Sequence, residues 1–89
     1  MPASKAAITS TQIAAHAIVE KAGRDLIAID LSDQLVLSEV FLIATGQNIP
    51  QVAAIADEVE RKMAEAGQKP ARRENGSEWI LIDYTDLVV

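Results

Sequence analysis

The stretch that decides the fold is VFLIATGQNIPQVAAIADEVERKMAEAG, residues 40–67. Its first seven residues, 40–46, are almost wholly apolar and include β-branched side chains, which predicts a strand. Because the apolar character is continuous rather than alternating, we expect this strand to be buried on both faces, in the middle of a sheet. Gly46 then permits a tight turn, or a positive φ, between the strand and the helix that follows.

The rest of this stretch has the pattern of an amphipathic helix. Asn48 is a candidate N-cap, and Pro50 falls in the first turn, where a missing backbone N–H costs nothing. One apolar stripe recurs at helical spacing and consists of Val52, Ile55, Ala56, Val59, Met63 and Ala66. Gly67 is the kind of residue that commonly closes a helix. We therefore predict a helix between residues 48 and 67.

Before this stretch, the sequence predicts one helix and one strand. Residues 1–8 have the composition of a loose leader, and Thr-Ser-Thr at residues 9–11 offers N-caps. Apolar residues then follow at helical spacing as far as Gly23, a natural C′ residue. Residues 25–31, DLIAIDL, predict a strand, which Ser-Asp-Gln at residues 32–34 should break.

After it, the sequence predicts an edge segment and a hairpin. Pro70 confines QKPARREN, residues 68–75, to an edge strand or a loop, and Gly76 lies in a turn. In EWILIDYTDLVV, residues 78–89, a strand at 79–82 and a strand from residue 87 flank turn-like DYTD. The order α-β-β-α-β-β-β predicts an α/β (α+β) fold, a small mixed sheet covered by helices, in one domain over residues 9–89.

Composition excludes several classes of protein. The 89 residues include no Cys, and no signal peptide or run of about 20 apolar residues is visible, so we expect a cytoplasmic protein. The net charge of −5 disfavours direct binding to nucleic acid. From charge alone, the acidic residues are more simply a solvated surface than a binding site for a basic protein.

The polar motifs do not make a convincing catalytic site. Gly46 alone is not a phosphate-binding loop. Asp83 and Asp86 have the composition of turn residues, and His16, the single His, is distant in sequence, so a metal pair is the less favoured interpretation. We expect no metal, no cofactor and no enzymatic activity. Trp79 is as consistent with a core position as with an interface, whereas Tyr84 leans to an interface.

Two blocks of the sequence closely resemble the ribosomal silencing factor (Iojap) family. They are VFLIATGQNIPQVAAIADEVERKMAEAGQKPARREN, residues 40–75, and WILIDYTDLVV, residues 79–89. The family typically shows a Phe-Val-Ile-Ala-Thr-Gly segment, a helix, and then a Trp-x-Leu-x-Asp-Tyr-Gly-Asp-Val-Val-Val-His-Val-Phe block. The two motifs occur in the right order, and the match runs over about residues 14–89.

The resemblance implies a shortened nucleotidyltransferase-like fold without catalytic activity. It also implies binding to the large ribosomal subunit through ribosomal protein fourteen of that subunit, which blocks joining of the small subunit and represses translation under nutrient limitation. A vestigial nucleotide-binding protein is the alternative. The chain has no Asp-x-Asp pair to hold two metal ions, which favours the first reading.

On this resemblance, the partner-binding residues are expected on the final hairpin. They are Trp79, Ile82, Asp83, Tyr84 and Asp86. Thr85 stands where the family has a turn Gly, so a turn that needs a positive φ would be strained there. The family block continues past Val89 with the rest of a strand and a helix, so we expect a shortened chain in which unpaired strand backbone favours a homodimer.

Overall fold

The computed structural model describes residues 3–33 and 38–89, so Gln34 of the predicted break lies outside it. The elements are α1 (Lys5–Glu20), β1 (Arg24–Asp30), β2 (Val40–Thr45), α2 (Ile49–Glu65), β3 (Arg72–Asn75), β4 (Ile80–Asp83) and β5 (Leu87–Val88). This order is the predicted one, and the predicted mixed α and β class is confirmed.

The five strands form one mixed sheet in the order β1-β2-β5-β4-β3. β2 and β5 run parallel, whereas β1–β2, β4–β5 and β3–β4 are antiparallel pairs. The polar segment that contains Pro70 leads into β3, which lies at one edge of the sheet as predicted. The hairpin predicted for residues 79–89 is formed by β4 and β5.

Both helices pack on the same face of the sheet. The buried cluster between them and the sheet contains Ala14, Ala17, Ile18, Ile55, Val59 and Met63 from the helices, and Val40, Leu42, Ile82 and Leu87 from the strands. Phe41 and Ile43 point the other way and are 38% and 48% exposed. The prediction that β2 is buried on both faces is therefore wrong, because helices cover one face only.

Helix α1 begins earlier than predicted. Ser4 is the N-cap, since its Oγ accepts the Ala7 N–H over 3.1 Å. The Ser4 N–H in turn donates to the Glu39 carboxylate over 2.8 Å, and the Ala3 N–H donates to the Asp30 carboxylate over 3.0 Å. Contacts from residues remote in sequence thus order the segment 3–8, which was predicted to be loose; Met1 and Pro2 lie outside the described residues.

Apart from the start of α1, the turns at the ends of the helices agree with the sequence in all but two details. Asn48 caps α2 as predicted, with its Oδ1 accepting the Gln51 N–H over 2.8 Å, and Gly67 follows α2 with φ 82°. At the end of α1 it is Ala22, not Gly23, that takes the positive φ, 62°. Gly46 has no positive φ; a Cβ there would lie 2.8 Å from Cγ2 of Val52, so close packing explains the glycine.

Candidate docking surface

The face of the sheet that the helices leave open, here called the outer face, is apolar across three neighbouring strands. Residues opposite each other on paired strands share a face, and Ile27 pairs with Ile43 while Ile29 pairs with Phe41. Phe41 in turn pairs with Val88 of β5. Ile27 is 54% exposed, so this band of side chains meets solvent rather than a second layer of helices.

The band continues onto β4 and ends at Trp79. Side chains alternate along a strand, and Ile82 faces the helices, so Leu81 and Trp79 face outward. Trp79 is 54% exposed. An open groove of about 460 Å³ runs between β2 and β4, and its walls include Phe41, Ile43, Trp79, Leu81 and Val88. Contiguous exposed apolar surface of this kind marks a site of interaction with a protein or a ligand.

The sequence reasoning missed the β1 and β2 part of this surface. Phe41 and Ile43 were assigned to a strand buried on both faces, and Ile27 and Ile29 to a strand whose two faces were not distinguished. The side chains of β2 alternate between the two faces of the sheet. Leu42 is buried on the helix side, and Phe41 is exposed on the outer face. Because residues 40–44 are all apolar, their sequence shows no alternation that would distinguish the buried face from the exposed one.

Two of the predicted contact residues face the interior. Ile82 is 1% exposed and Tyr84 is 6% exposed, and both belong to the core cluster. Strand alternation puts them together on the helix side, so the expectation that their side chains contact a partner directly is corrected. Gly76 lies at the turn between β3 and β4, as predicted, and Trp79 on the same hairpin is exposed.

Tyr84 has an unusual environment for its hydroxyl group. The hydroxyl is buried and has no hydrogen-bond partner among the described residues. Burial, and to a smaller extent the Glu60 carboxylate, raises the pKa of Tyr84 to about 12. The nearby Arg73 ties β3 to α2 through ion pairs with Asp57 and Glu60. Tyr84 is therefore a neutral core residue that anchors the hairpin from inside.

The acidic residues of the hairpin act first as turn formers. The Asp83 carboxylate accepts the Thr85 N–H over 2.8 Å and lies 3.5 Å from Nε of Arg72. Thr85 has φ 78°, which is the strained conformation expected of a residue in place of glycine. The Asp86 carbonyl accepts N–H bonds from Glu39 and Val40, so Asp86 joins the turn to the start of β2.

Within residues 3–33 and 38–89, no three His, Asp or Glu side chains converge in a way that could hold a metal ion. His16 is exposed on α1. Neither helix in the described part of the chain is long and apolar enough to span a membrane. What the geometry offers is an apolar surface with acidic residues at its margin.

Comparison with known sequences supplies a context for this surface. The family model "Ribosomal silencing factor during starvation" matches residues 4–89. A Chromobacterium violaceum protein, Ribosomal silencing factor RsfS, is 35% identical over 81 residues, which cover 89% of this chain and 66% of that protein. The Bacillus subtilis protein of the same name is 35% identical over 80 residues, covering 88% and 68%. The chain thus spans about two thirds of the length of these relatives.

Two solved structures share the fold. A crystal structure of a Chromobacterium violaceum protein superimposes with a TM-score of 0.86 at 34% identity, over 91% of this chain and 69% of that one. A crystal structure from Bacillus halodurans gives a TM-score of 0.79 at 34% identity, over 88% of this chain and 74% of that one. The arrangement of strands and helices described above is therefore common to these proteins.

Proposed function

The chain belongs to the ribosomal silencing factor family, and on that premise we propose that it binds the large ribosomal subunit and keeps the small subunit from joining. The contact in this proposal is ribosomal protein fourteen of the large subunit. The effect is repression of translation under nutrient limitation, in the cytoplasm, and the chain acts as a binding protein rather than as an enzyme.

The observation that carries this proposal is the uncovered outer face with Trp79 at its margin. The buried cluster is built almost entirely from aliphatic side chains, yet the one Trp of the chain is 54% exposed. Large rigid aromatic side chains supply much of the energy at protein interfaces. An exposed Trp next to a groove lined by Phe41, Leu81 and Val88 has the chemistry of such an interface.

The charge of the surface supports a basic partner. The chain carries a net charge of −5, and Glu78, Asp83 and Asp86 lie along the final hairpin. Arg72, the basic residue beside them, lies 3.3 Å from Glu74 and 3.5 Å from Asp83, so its charge is already compensated. Ribosomal proteins are generally basic because they bind RNA, and complementary charge favours rapid and specific association.

The proposed mechanism is steric. The described chain measures 36 × 24 × 22 Å along its principal axes. A body of this size on the surface where the two subunits meet is incompatible with their close contact. No chemical step is needed, since occupancy of the surface alone blocks joining.

Co-sedimentation with purified ribosomal subunits tests the proposal. We expect the chain to sediment with the large subunit and not with the small one, and to lower the fraction of joined ribosomes in proportion to its occupancy. Sedimentation with neither subunit, or with both equally, would contradict the proposal. A pull-down on isolated ribosomal protein fourteen then tests the named contact.

Two alternatives to this proposal, nucleotide binding and homodimer formation, are each tested by a separate experiment. A vestigial nucleotide-binding protein would bind ATP with Mg²⁺ in a calorimetric titration, and we expect no heat of binding. A homodimer would place a second copy on the outer face, which is the surface that the ribosome would need. Equilibrium sedimentation of the free chain, with and without the isolated ribosomal protein, shows whether the two occupants exclude each other.

A further inference from the structure

We propose that Gly76 is a positioning residue that holds the Trp79 side chain in the orientation needed for binding. This inference rests on the proposed function, because it gives Trp79 the role of a contact residue. It goes further in naming what fixes the indole ring in the absence of a partner. Gly76 itself contacts nothing outside the chain in this proposal and acts only through Trp79.

The geometry that points to this role is a close pair across the β3–β4 hairpin. Asn75 and Ile80 are paired residues, so Gly76 and Trp79 are the next two residues that face each other toward the turn. The Gly76 N–H donates to the Trp79 carbonyl over 2.8 Å. A Cβ atom at position 76 would lie 2.5 Å from Nε1 and 2.7 Å from Cδ2 of the indole. The ring therefore lies directly on the Gly76 backbone.

This arrangement explains why the position is glycine. Gly76 has no positive φ, so the backbone conformation does not require glycine there. The space does, because any side chain would enter the volume that the indole occupies. An aromatic ring that covers a strand glycine is a known way to stabilise a β-hairpin. At position 76 the same contact holds an exposed Trp in one place.

A fixed ring has a direct consequence for binding. An interface side chain that is mobile before binding loses conformational entropy on binding, which weakens the affinity by up to about tenfold. With the indole already seated on Gly76, most of that loss has occurred during folding. Gly76→Ala displaces the ring, so we expect about tenfold weaker binding to the large subunit.

Trp79 is the one Trp of the chain, so its spectroscopic signals report on this contact alone. In the wild-type protein we expect strong near-ultraviolet circular dichroism from the indole and fluorescence anisotropy typical of an immobilised ring. In Gly76→Ala we expect both to fall while the far-ultraviolet spectrum stays unchanged. Ser77→Ala, in the same turn and exposed, is the matched control and should leave all three signals unchanged. A freely rotating indole in the wild-type protein would overturn the proposal without the use of any variant.

A double-mutant cycle separates positioning from a direct role of the turn. Binding to purified large subunits is measured for wild type, Gly76→Ala, Trp79→Ala and the double variant. If Gly76 acts through Trp79, its substitution lowers affinity in the wild-type background and changes nothing once Trp79 is alanine. Equal losses in both backgrounds, or unchanged affinity in a Gly76→Ala variant with a mobile indole, would overturn the inference.

The same experiment keeps the inference distinct from the proposed function. If the wild-type chain does not bind the large subunit, the proposed function fails, and the role of Gly76 in binding fails with it. The optical signals would then still show whether Gly76 seats the ring. If the wild-type chain binds and the cycle shows no coupling between positions 76 and 79, only the positioning role is lost.

Discussion

Thr85 donates its backbone N–H to the Asp83 carboxylate over 2.8 Å while its own φ is 78°. The hydrogen bond and the unfavourable φ belong to the same tight turn, which connects β4 to β5. A β-branched residue is among the least suited to a positive φ, so this turn combines a stabilising contact with a strained backbone.

Replacing Thr85 with glycine should stabilise the protein. Glycine adopts a positive φ without steric cost, and the gain exceeds the extra entropy of the unfolded chain. We expect Thr85→Gly to raise the free energy of unfolding by about 1 kcal/mol, measured by urea denaturation. Thr85→Ala keeps a Cβ at the same φ and is the matched control, with a much smaller gain. A loss of stability in Thr85→Gly would mean that the backbone is not strained at this position.

Asp83 should matter for folding through the turn rather than through its ion pair. Asp83→Ala removes the acceptor of the Thr85 N–H, and we expect a loss of about 1–2 kcal/mol in the free energy of unfolding. Arg72→Ala removes the exposed ion pair and should change stability little, since such pairs contribute little in water. Equal losses from the two substitutions, each measured by chemical denaturation, would refute the turn role.

Substitutions at two positions of the final hairpin should separate effects on stability from effects on binding. Ile82→Ala leaves a cavity in the core and should cost about 3 kcal/mol in the free energy of unfolding. Trp79→Ala should leave stability within about 1 kcal/mol but weaken binding to the large subunit about 30-fold, as expected for a dominant contact residue. Thermal melts and co-sedimentation of both variants test the pair. A strongly destabilised Trp79→Ala variant would show that the indole belongs to the core.

Tyr84 should make stability depend on alkaline pH. Its pKa is about 12 in the folded protein against a usual value of 10, so the unfolded chain loses the proton first. The contribution of neutral Tyr84 to the free energy of unfolding is complete below pH 10. As the pH rises from 10 to 12, this contribution falls by about 1.4 kcal/mol per pH unit. Urea denaturation across that range measures the slope.

Tyr84→Phe is the control for that slope, because it has no group to ionise. It also removes a buried hydroxyl that has no hydrogen-bond partner among the described residues. We therefore expect Tyr84→Phe to be as stable as wild type at pH 7, or slightly more stable. Between pH 10 and 12, its free energy of unfolding should lack the fall that ionisation of Tyr84 causes in the wild-type protein. An unchanged slope would assign the alkaline transition to other groups.

Much of the fold was predictable because local signals and burial agree. The stripe of α2, its Asn48 cap and the Gly67 that follows it are all local in sequence, and the structure has the cap, the glycine and most of the stripe. The exception in the stripe is Ala66, which is exposed and follows the last helical residue. The start of α1 was not predictable in this way. Ser4 caps the helix while it is held by Glu39, 35 residues further along the chain, and no local pattern reports such a contact.

The candidate docking surface was only partly predictable for a related reason. Trp79 stood out by its residue type, and it is exposed. Whether Phe41 and Ile43 lie under a helix or face solvent depends on where both helices pack, which is a property of the assembled layers. The inward position of Tyr84 follows from strand alternation with Ile82, whereas the aromatic and acidic residues crowded on one hairpin favoured an interface.

A sheet covered on one face only has a consequence for how such a chain evolves. Along β2 and β4, hidden residues such as Leu42 and Ile82 alternate with outward ones such as Phe41 and Leu81. The hidden positions tolerate little drift because a packed interior is sensitive to volume. The outward positions are free to vary with whatever they touch. The outward residues that contact a partner can therefore be substituted one at a time during evolution without a change in the fold.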